Sequence, residues 1–261
     1  MEEDSSNRDW KAVYNNHYAD DSYRASLSGY EIARFKALKH FITKVLDVGK
    51  VDKVLDYGAG RGLHVKLWET IFSAAELCFA DISEKALAKL KEDFAEYKES
   101  CYLINDDRIE IEDNYFSVVV SVEVMEHVAN LETYLKEVYR LLKPGGFFIW
   151  TTPCANSFSI EHIYSSVTKQ IESTGEGFRR WAWEDSDHLR RLKSKEIKNL
   201  LTACGFADIK FRFRAHLFSF LCAESRFRKF IPKKEWCLLL DYTLWRLFSN
   251  GASMLGGAVK R

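Results

Sequence analysis

The chain has 261 residues, with 38 Lys and Arg against 38 Asp and Glu, and 47% of its residues are hydrophobic. This composition is typical of a globular protein and excludes a collagen-like, low-complexity or largely disordered chain. Zero net charge excludes a uniformly basic nucleic-acid binder, and no apolar run approaches the roughly 18–20 residues of a membrane-spanning helix.

The periodicity of apolar residues changes near residue 50. Helical spacing over residues 1–50 predicts an N-terminal helical cap, after which short apolar runs alternate with amphipathic segments. Predicted strands cover residues 51–57, 76–82, 101–105, 116–122 and 147–152, and predicted helices cover 63–72, 83–97 (with Ser83 as N-cap) and 130–142. Because these strands are apolar throughout, they predict an α/β fold with a doubly wound parallel sheet covered on both faces.

The second half of the chain is less regular. Residues 154–191 form a long connection rich in aromatic residues, a length that is typical of lids and binding segments. A helix at 195–204, a strand at 208–213, a helical stretch at 216–250 and a short strand at 255–260 are predicted to follow. We therefore expect a cap over residues 1–50 and one domain over 51–261, with lid insertions at about 154–191 and 216–250. Tyr14, Tyr18 and Tyr23 of the cap, together with the first lid, are expected to cover a substrate.

Three alternate glycines, Gly58, Gly60 and Gly62, follow the first predicted strand and precede a helix. Their missing Cβ atoms allow a ligand to lie against the backbone, and the helix N-terminus faces that ligand. A dinucleotide fingerprint requires its third glycine where Leu63 stands, and a phosphate-binding G-x-x-x-x-G-K-[ST] loop is absent. The turn therefore indicates a ligand other than a nicotinamide or flavin dinucleotide.

The pattern Asp-x-Gly-x-Gly-x-Gly over residues 56–62 resembles the first motif of class I S-adenosylmethionine-dependent methyltransferases. Asp81 ends the second strand about 20 residues after the middle glycine, where a carboxylate can accept both ribose hydroxyls of a nucleoside. Three more stretches resemble the family's later blocks in the right order, and with the first motif and Asp81 they cover residues 54–153. They are residues 105–107, residues 113–119 and the paired segments 124–128 and 140–146.

This resemblance implies a Rossmann-like, seven-stranded, mostly parallel sheet whose last strand, 255–260, runs antiparallel between the fifth strand and residues 208–213. It also implies S-adenosyl-L-methionine as cofactor, with S-adenosyl-L-homocysteine as product. Arg34 is either a contact of the methionine carboxylate or an exposed helix charge. The implied cofactor-binding residues are Asp56 (which orients the turn and holds the methionine ammonium through backbone or water), Gly58, Gly60, Gly62, Asp81 (ribose), Ile82 (adenine), Asp106 (adenine amino group) and Glu123.

His127 is the candidate catalytic residue. It follows the fourth predicted strand, where the transferred methyl group is expected, and an imidazole titrates near neutral pH. As a general base it would deprotonate an oxygen acceptor, a contribution of about 10²–10⁴ in rate, with Glu126 orienting its ring. The other interpretation makes His127 a capping or packing residue at a strand-to-helix turn, and the sequence leaves both open.

A divalent metal is an alternative reading of the same segment. Glu123, Glu126 and His127 place two carboxylates and an imidazole within five positions, a set that can converge on a metal ion. The segment resembles that of metal-dependent small-RNA 3′-end 2′-O-methyltransferases, with His188 as the later histidine, although Val128 stands where those enzymes have a second consecutive histidine. We do not expect a metal cofactor and assign no metal ligand.

We predict a methyltransferase of the broad small-molecule biosynthesis type that methylates an oxygen, or in second place a nitrogen, of a metabolite, natural product or sugar. One alternative is a divalent-metal-dependent 2′-O-methyltransferase of RNA or another phosphate-bearing substrate. Another is a non-catalytic cofactor-binding partner subunit, because Ser117 departs from the family's usual Asp. The basic segment 190–235 is either a solvated face or a contact for phosphate, a nucleotide sugar, an anionic lipid surface or RNA. A nucleic-acid partner and a transmembrane segment are not expected, and the oligomeric state stays open. The acidic, polar N-terminal segment and six cysteines without a C-x-x-C pair predict a cytoplasmic protein with reduced thiols.

Overall fold

The computed structural model describes residues 9–24, 26–156, 158–173, 179–182, 187–218 and 235–261, with side chains described from residue 238 in the last range. The described helices are α1 (Trp10–His17), α2 (Gly29–Val45), α3 (Val65–Ile71), α4 (Glu84–Asp93), α5 (Leu131–Leu141), α6 (Ile160–Val167), α7 (Ser194–Ala203) and α8 (Glu235–Trp245). The described strands are β1 (Lys53–Tyr57), β2 (Glu76–Asp81), β3 (Cys101–Leu103), β4 (Phe116–Val122), β5 (Leu142–Pro153), β6 (Ile171–Ser173), β7 (Arg179–Trp181), β8 (Phe206–Arg214) and β9 (Ser253–Lys260).

Seven strands form one sheet in the order β3-β2-β1-β4-β5-β9-β8, and β6 pairs with β7 in a separate antiparallel hairpin. Strands β1 to β5 pair in parallel, whereas β9 pairs antiparallel with both β5 and β8. Six strands therefore share one direction and β9 opposes them. The predicted doubly wound, seven-stranded, mostly parallel sheet with an antiparallel last strand is confirmed.

Apolar strand sequences produce a sheet with two buried faces. Val118 and Val120 of β4 pack into the layer that contains Trp68 of α3, whereas Val119 packs into the layer that contains Leu135 of α5. Successive side chains of a strand point to opposite faces, so an apolar residue at every position is needed to fill both layers. The central strands thus form a rigid support for the residues at their carboxyl ends.

Local capping signals fix several helix starts. The Ser83 side chain accepts a hydrogen bond from the Ala86 backbone N–H, which confirms it as the N-cap of α4. Asn130 caps α5 in the same way through the Thr133 N–H. Element ends differ more: α4 stops at Asp93 rather than near residue 97, and β3 has three residues where five were predicted. Within the described residues, no helix is long and apolar enough to cross a membrane.

The ranges predicted as a cap and as lids contain defined helices and strands in the structure. Residues 9–50 hold α1 and α2, while residues 1–8 lie outside the described part of the chain. The first predicted lid contains α6 and the β6–β7 hairpin, and the second contains α8, with residues 219–234 outside the described part. Helix α1 packs against the start of α4. Ser83 donates a hydrogen bond to the Asn15 side chain at 2.9 Å, and Lys11 pairs with Glu84 at 2.7 Å.

Candidate active site

A cleft of about 1090 Å³, including space open to solvent, lies at the carboxyl ends of β1, β2 and β4. This is the position at which open α/β sheets bind their ligands. One wall comes from the turn after β1 and the end of β2, and another from the residues after β4. Helix α1 and the segment that follows it close the cleft with aromatic side chains: Trp10, Tyr14, Tyr18 and Tyr23.

The glycine turn gives the cleft a bare backbone wall. Gly58 and Gly60 have φ values of +87° and +56°, a left-handed conformation that favours glycine. A Cβ on Gly58 would lie 2.4 Å from a Val124 methyl group, and a Cβ on Gly60 would lie 2.4 Å from the Tyr18 hydroxyl oxygen. Both positions therefore require glycine for the backbone conformation and for the space in front of it.

Asp81 is held rigidly at the bottom of the same wall. Its Oδ2 accepts a hydrogen bond from the Gly60 backbone N–H at 2.7 Å, and its Oδ1 accepts one from the Ser83 N–H at 2.8 Å. Burial raises the pKa of this carboxyl above its ordinary value, although both backbone donors oppose that shift. Ile82 lines the cleft beside it. The acid and the glycine turn thus form one unit that can hold a nucleoside.

His127 lies on the opposite wall. Its Nδ1 is 3.1 Å from the backbone carbonyl oxygen of Asp187, and the Tyr14 ring meets it edge-on with centroids 5.9 Å apart. A carbonyl oxygen only accepts, so this contact requires the proton on Nδ1 and leaves Nε2 as the basic nitrogen of the neutral ring. The residue is therefore set up to receive a proton.

A family model described as "Methyltransferase domain" matches residues 30–210. This stretch covers the glycine turn, Asp81 and His127. The chain belongs to this methyltransferase family. It is an S-adenosylmethionine-dependent enzyme, and the recognition made from the sequence motifs is confirmed.

Curated relatives and solved structures agree with this assignment. The ubiquinone/menaquinone biosynthesis C-methyltransferase UbiE of Desulfotalea psychrophila is 24% identical over 177 residues, 66% of this chain and 72% of the relative. UbiE of Yersinia pestis strain Pestoides F is 24% identical over 188 residues, 66% of this chain and 73% of the relative.

Two solved structures share the fold at 16% sequence identity. One is a possible histamine N-methyltransferase from Thermotoga maritima, with a TM-score of 0.57 over 88% of this chain and 92% of that chain. The other is the phosphoethanolamine N-methyltransferase 2 of Haemonchus contortus in complex with S-adenosylhomocysteine, with a TM-score of 0.60 over 97% of this chain and 60% of that chain.

Three of the predicted cofactor contacts of the methyltransferase do not line its cleft. Asp56 is buried below the turn, where it accepts a hydrogen bond from the Trp68 indole at 2.7 Å. Gly62 faces α4, because a Cβ there would lie 2.9 Å from Leu90. Asp106 is exposed, and the next residue, Asp107, lines the cleft instead. Asp56 and Gly62 therefore serve the packing under the turn, and Asp107 is the acid after β3 that lines the cleft.

Glu123 lines the cleft of the methyltransferase with a left-handed backbone, φ +55°. It pairs with Arg34 at 3.1 Å, and Arg34 is only 8% exposed, so the interpretation of Arg34 as an exposed helix charge is wrong. Burial alone would raise the pKa of Glu123, but the Arg34 and Arg214 guanidinium groups hold it below its ordinary value. This largely buried ion pair therefore lies at the edge of the cleft, with Glu123 in its lining.

Glu126 does not take the position predicted for it. Its side chain is fully buried and accepts a hydrogen bond from the Thr152 hydroxyl at 3.0 Å, while the Asp187 carbonyl holds Nδ1 of His127. Burial, with the charge of Glu123, raises the pKa of Glu126 to about 8. Its surroundings therefore favour the protonated form of this carboxyl.

The basic segment of the methyltransferase is only partly a surface. Arg190 and Arg191 are each 5% exposed, and both donate to backbone carbonyl groups. Arg214 is also buried, with its guanidinium 4.7 Å from the centre of the Tyr30 ring. The predicted basic residues at 226, 228, 229, 233 and 234 lie outside the described residues. The charge excess therefore includes structural arginines.

No sequence pattern indicates two of the contributions to this site. The Asp187 carbonyl reaches His127 across 60 positions, and no side-chain pattern marks a backbone acceptor. Trp10 lines the cleft from the start of α1, in a stretch whose apolar pattern is weak. Tyr14, Tyr18 and Tyr23 line the cleft where the cap was expected to cover it.

Proposed function

We propose that this methyltransferase transfers a methyl group to an oxygen atom of a small molecule, with His127 as general base. When bound, S-adenosylmethionine supplies a methyl group on a positively charged sulfur. The observation that carries the proposal is the contact of His127 Nδ1 with the Asp187 carbonyl, which leaves Nε2 to take a proton. An alcohol or phenol must lose its proton as it attacks, whereas a neutral amine already has its lone pair.

The residues of the cleft fit this cofactor. Gly58 and Gly60 line the cleft with bare backbone, and the Val124 methyl and Tyr18 hydroxyl groups pack where a Cβ would stand, so a ligand can lie against the backbone there. Asp81, fixed by two backbone donors, offers its remaining lone pairs to ribose hydroxyls, and Ile82 offers an apolar surface to adenine. Asp107, rather than Asp106, is the acid at the cleft for the adenine amino group.

An aromatic wall supports a ring-bearing acceptor. Trp10, Tyr14 and Tyr23 line the cleft, and Tyr14 contacts both Trp10 and His127 through its ring. Such side chains bind rings of phenols or sugars and exclude water from the reacting atoms. We therefore favour an acceptor with a hydroxyl on or beside a ring.

The curated relatives are named C-methyltransferases, which bears on the acceptor atom. A phenolate carries negative charge on its oxygen and on ring carbons, so the same base would serve methylation at carbon. Oxygen is the acceptor proposed here, and carbon is the outcome that would correct it. Incubation of a panel of phenols, hydroquinones, sugars and amines with methyl-labelled cofactor, followed by NMR of the product, assigns the bonded atom.

Replacement of His127 tests the base. The His127→Ala variant is expected to lose about 10²–10⁴ in kcat, because His127 is the group proposed to take the proton from the acceptor hydroxyl. Its affinity for S-adenosylhomocysteine, measured by calorimetry, should be unchanged. Val128→Ala, the next residue on the same wall, serves as control and should keep most of the turnover. Full turnover by His127→Ala would remove the general base from the proposal.

One observation favours a second candidate, a metal-dependent form of the same transfer. Glu126, His127 and His188 each offer a ligand atom, and these atoms lie within 4.8 Å of one another. Carboxylate and imidazole ligands suit Mn²⁺ or Zn²⁺. Under this candidate, chelation with EDTA abolishes turnover and Mn²⁺ restores it, and an RNA or phosphate-bearing acceptor becomes the first to test. Under the metal-free proposal, EDTA leaves turnover unchanged.

Residue chemistry also supports a cytoplasmic enzyme rather than a non-catalytic subunit. The described cysteines 78, 101, 154 and 204 are free thiols, as in a reducing compartment. One cleft is lined by both the glycine turn and His127. This chain therefore has a candidate base beside its candidate cofactor site. We therefore propose catalysis by this chain, with a small molecule as its substrate.

A further inference from the structure

Helix α6 exposes the apolar face that a packed helix normally buries. Its apolar residues Ile160, Ile163, Tyr164 and Val167 recur at the spacing of one helix face. Such a stripe normally faces the core, yet Ile163 is 50% exposed and Val167 is 77% exposed. Ser165, from the polar side, is fully buried. The helix thus presents its apolar face outward.

The residue before this helix reinforces the same face. Phe158 is 77% exposed and has a φ of +71°, a conformation that is rare for a bulky side chain. A residue of this kind in the left-handed region costs about 1–3 kcal/mol and persists only where the surrounding structure imposes it. The fold therefore holds an aromatic ring in solvent at a conformational cost.

A second group of exposed apolar residues lies at the end of α8. Leu244, Leu247 and Phe248 are all exposed. The Asn156 side chain donates to the Ser249 carbonyl oxygen at 2.8 Å, which brings the chain just before Phe158 beside the chain just after Phe248. The two groups therefore start from adjacent chain segments, and we name them together the α6–α8 surface: Phe158, Ile163, Tyr164, Val167, Leu244, Leu247 and Phe248.

Three exposed lysines lie near this surface. Lys169 follows α6 directly, and Lys193 and Lys195 flank Ser194, whose hydroxyl bonds with Asn156. Two acids nearby are paired within the protein: Glu161 pairs with Arg191 at 3.1 Å and Glu172 pairs with Arg180 at 2.9 Å. A third, Glu196, accepts a hydrogen bond from the Lys193 backbone N–H at 2.7 Å. Among these described residues, three exposed lysines therefore stand beside the α6–α8 surface against one acid that is held only by a backbone group.

We propose that the α6–α8 surface docks on an anionic lipid bilayer as a peripheral membrane contact. An outward apolar helix stripe bordered by lysines is the arrangement of an interfacial helix, which inserts its apolar side chains at the headgroup boundary. Lysines beside it add electrostatic attraction to anionic headgroups, each worth a modest, salt-dependent amount. A protein partner would need acids opposite the lysines, and a lipid surface supplies them at every position. This docking does not depend on the identity of the methyl acceptor.

Vesicle co-sedimentation of the full chain tests this docking. The protein should sediment with phosphatidylglycerol-containing vesicles and much less with pure phosphatidylcholine vesicles, and added salt should reduce binding. The double variant Ile163→Ser/Val167→Ser should bind the anionic vesicles roughly tenfold more weakly, because two apolar side chains no longer leave water. Leu27→Ser, an exposed apolar residue outside both helices, is the matched control and should bind normally.

A double charge-reversal variant tests whether anionic lipid, rather than a protein or a second copy of the chain, binds this surface. Lys169→Glu/Lys195→Glu should also weaken binding to anionic vesicles, whereas Lys98→Glu, beside β3 at the other sheet edge, should not. Circular dichroism and S-adenosylhomocysteine binding confirm that each variant is folded. Equal binding of wild type and Ile163→Ser/Val167→Ser would overturn the proposal. So would a dimer, seen by analytical ultracentrifugation without vesicles, that this double variant abolishes.

Discussion

The two halves of the cleft differ in the atoms that line them, which are mainly backbone atoms in one half and side-chain atoms in the other. The half that we propose binds the cofactor uses backbone: the turn of Gly58 and Gly60 and the N–H groups that hold Asp81, all at the ends of adjacent strands. The half that we propose binds the acceptor uses side chains from distant segments, with Tyr14 in α1 and His127 after β4 held by the carbonyl of Asp187. A backbone wall tolerates few changes, while a side-chain wall can change residue by residue. The fold can thus keep one cofactor and vary the acceptor.

Each half also rests on a buried carboxyl, and the two carboxyls should titrate differently. Burial raises the pKa of Asp56, below the glycine turn, to about 7. Burial and the charge of Glu123 raise the pKa of Glu126, behind His127, to about 8. In the unfolded chain both lose their protons near pH 4. Between these values the native state holds more protons than the unfolded state, so stability falls as pH rises.

The largest predicted effect follows from this contrast. Each carboxyl should contribute about 1.4 kcal/mol of lost stability per pH unit within its window. Glu126→Gln, which stays neutral, should flatten the decline of unfolding free energy up to about pH 8, and Asp56→Asn only up to about pH 7. Urea unfolding across pH 5 to 9 measures both slopes. Identical slopes for wild type and Glu126→Gln would mean that this carboxyl is already ionised in the folded protein.

The backbone half is tested by adding a single methyl group. Gly60→Ala places a Cβ 2.4 Å from the Tyr18 hydroxyl, in a backbone conformation that alanine resists. We expect a loss of roughly tenfold in S-adenosylhomocysteine affinity by calorimetry, since the ring must move into the cleft.

Gly145→Ala is the matched control for that substitution. Gly145 also has a left-handed backbone, φ +77°, but a Cβ there meets nothing within 4 Å. It should lower stability by about 1 kcal/mol and leave cofactor affinity intact. If both variants bind S-adenosylhomocysteine as wild type does, the turn is not the cofactor wall.

The sequence predicted the backbone half far better than the side-chain half. The apolar run of β4 was assigned at its observed ends, residues 116–122, because continuous burial on both faces leaves an unmistakable pattern. The cap at Ser83 is equally local. The antiparallel direction of β9 came from the family resemblance, since pairing direction is set by tertiary contacts that apolar periodicity does not encode.

Several predicted site residues lie outside the cleft, and their positions depend on backbone turns and side-chain directions that the sequence does not show. Left-handed φ values of +48° and +59° at Asp106 and Asp107 decide which carboxylate faces the cleft, and no residue type marks that turn. Glu126 adjoins His127 in sequence, yet it points inward to Thr152. The lid then supplies the partner of His127 from 60 positions away, a contact that exists only after folding.

The smallest predicted effect tests whether the two halves work independently. Tyr14 meets His127 edge-on at 5.9 Å, whereas Ile82 lies beside Asp81 on the other wall. Tyr14→Leu should raise the acceptor KM about fivefold, because an aromatic contact is worth roughly 1 kcal/mol, and should leave S-adenosylhomocysteine affinity unchanged. Ile82→Ala should do the reverse, with weaker S-adenosylhomocysteine binding and an unchanged acceptor KM. Because each variant is the control for the other, a parallel loss of both properties in both variants would show one coupled site rather than two walls of separate origin.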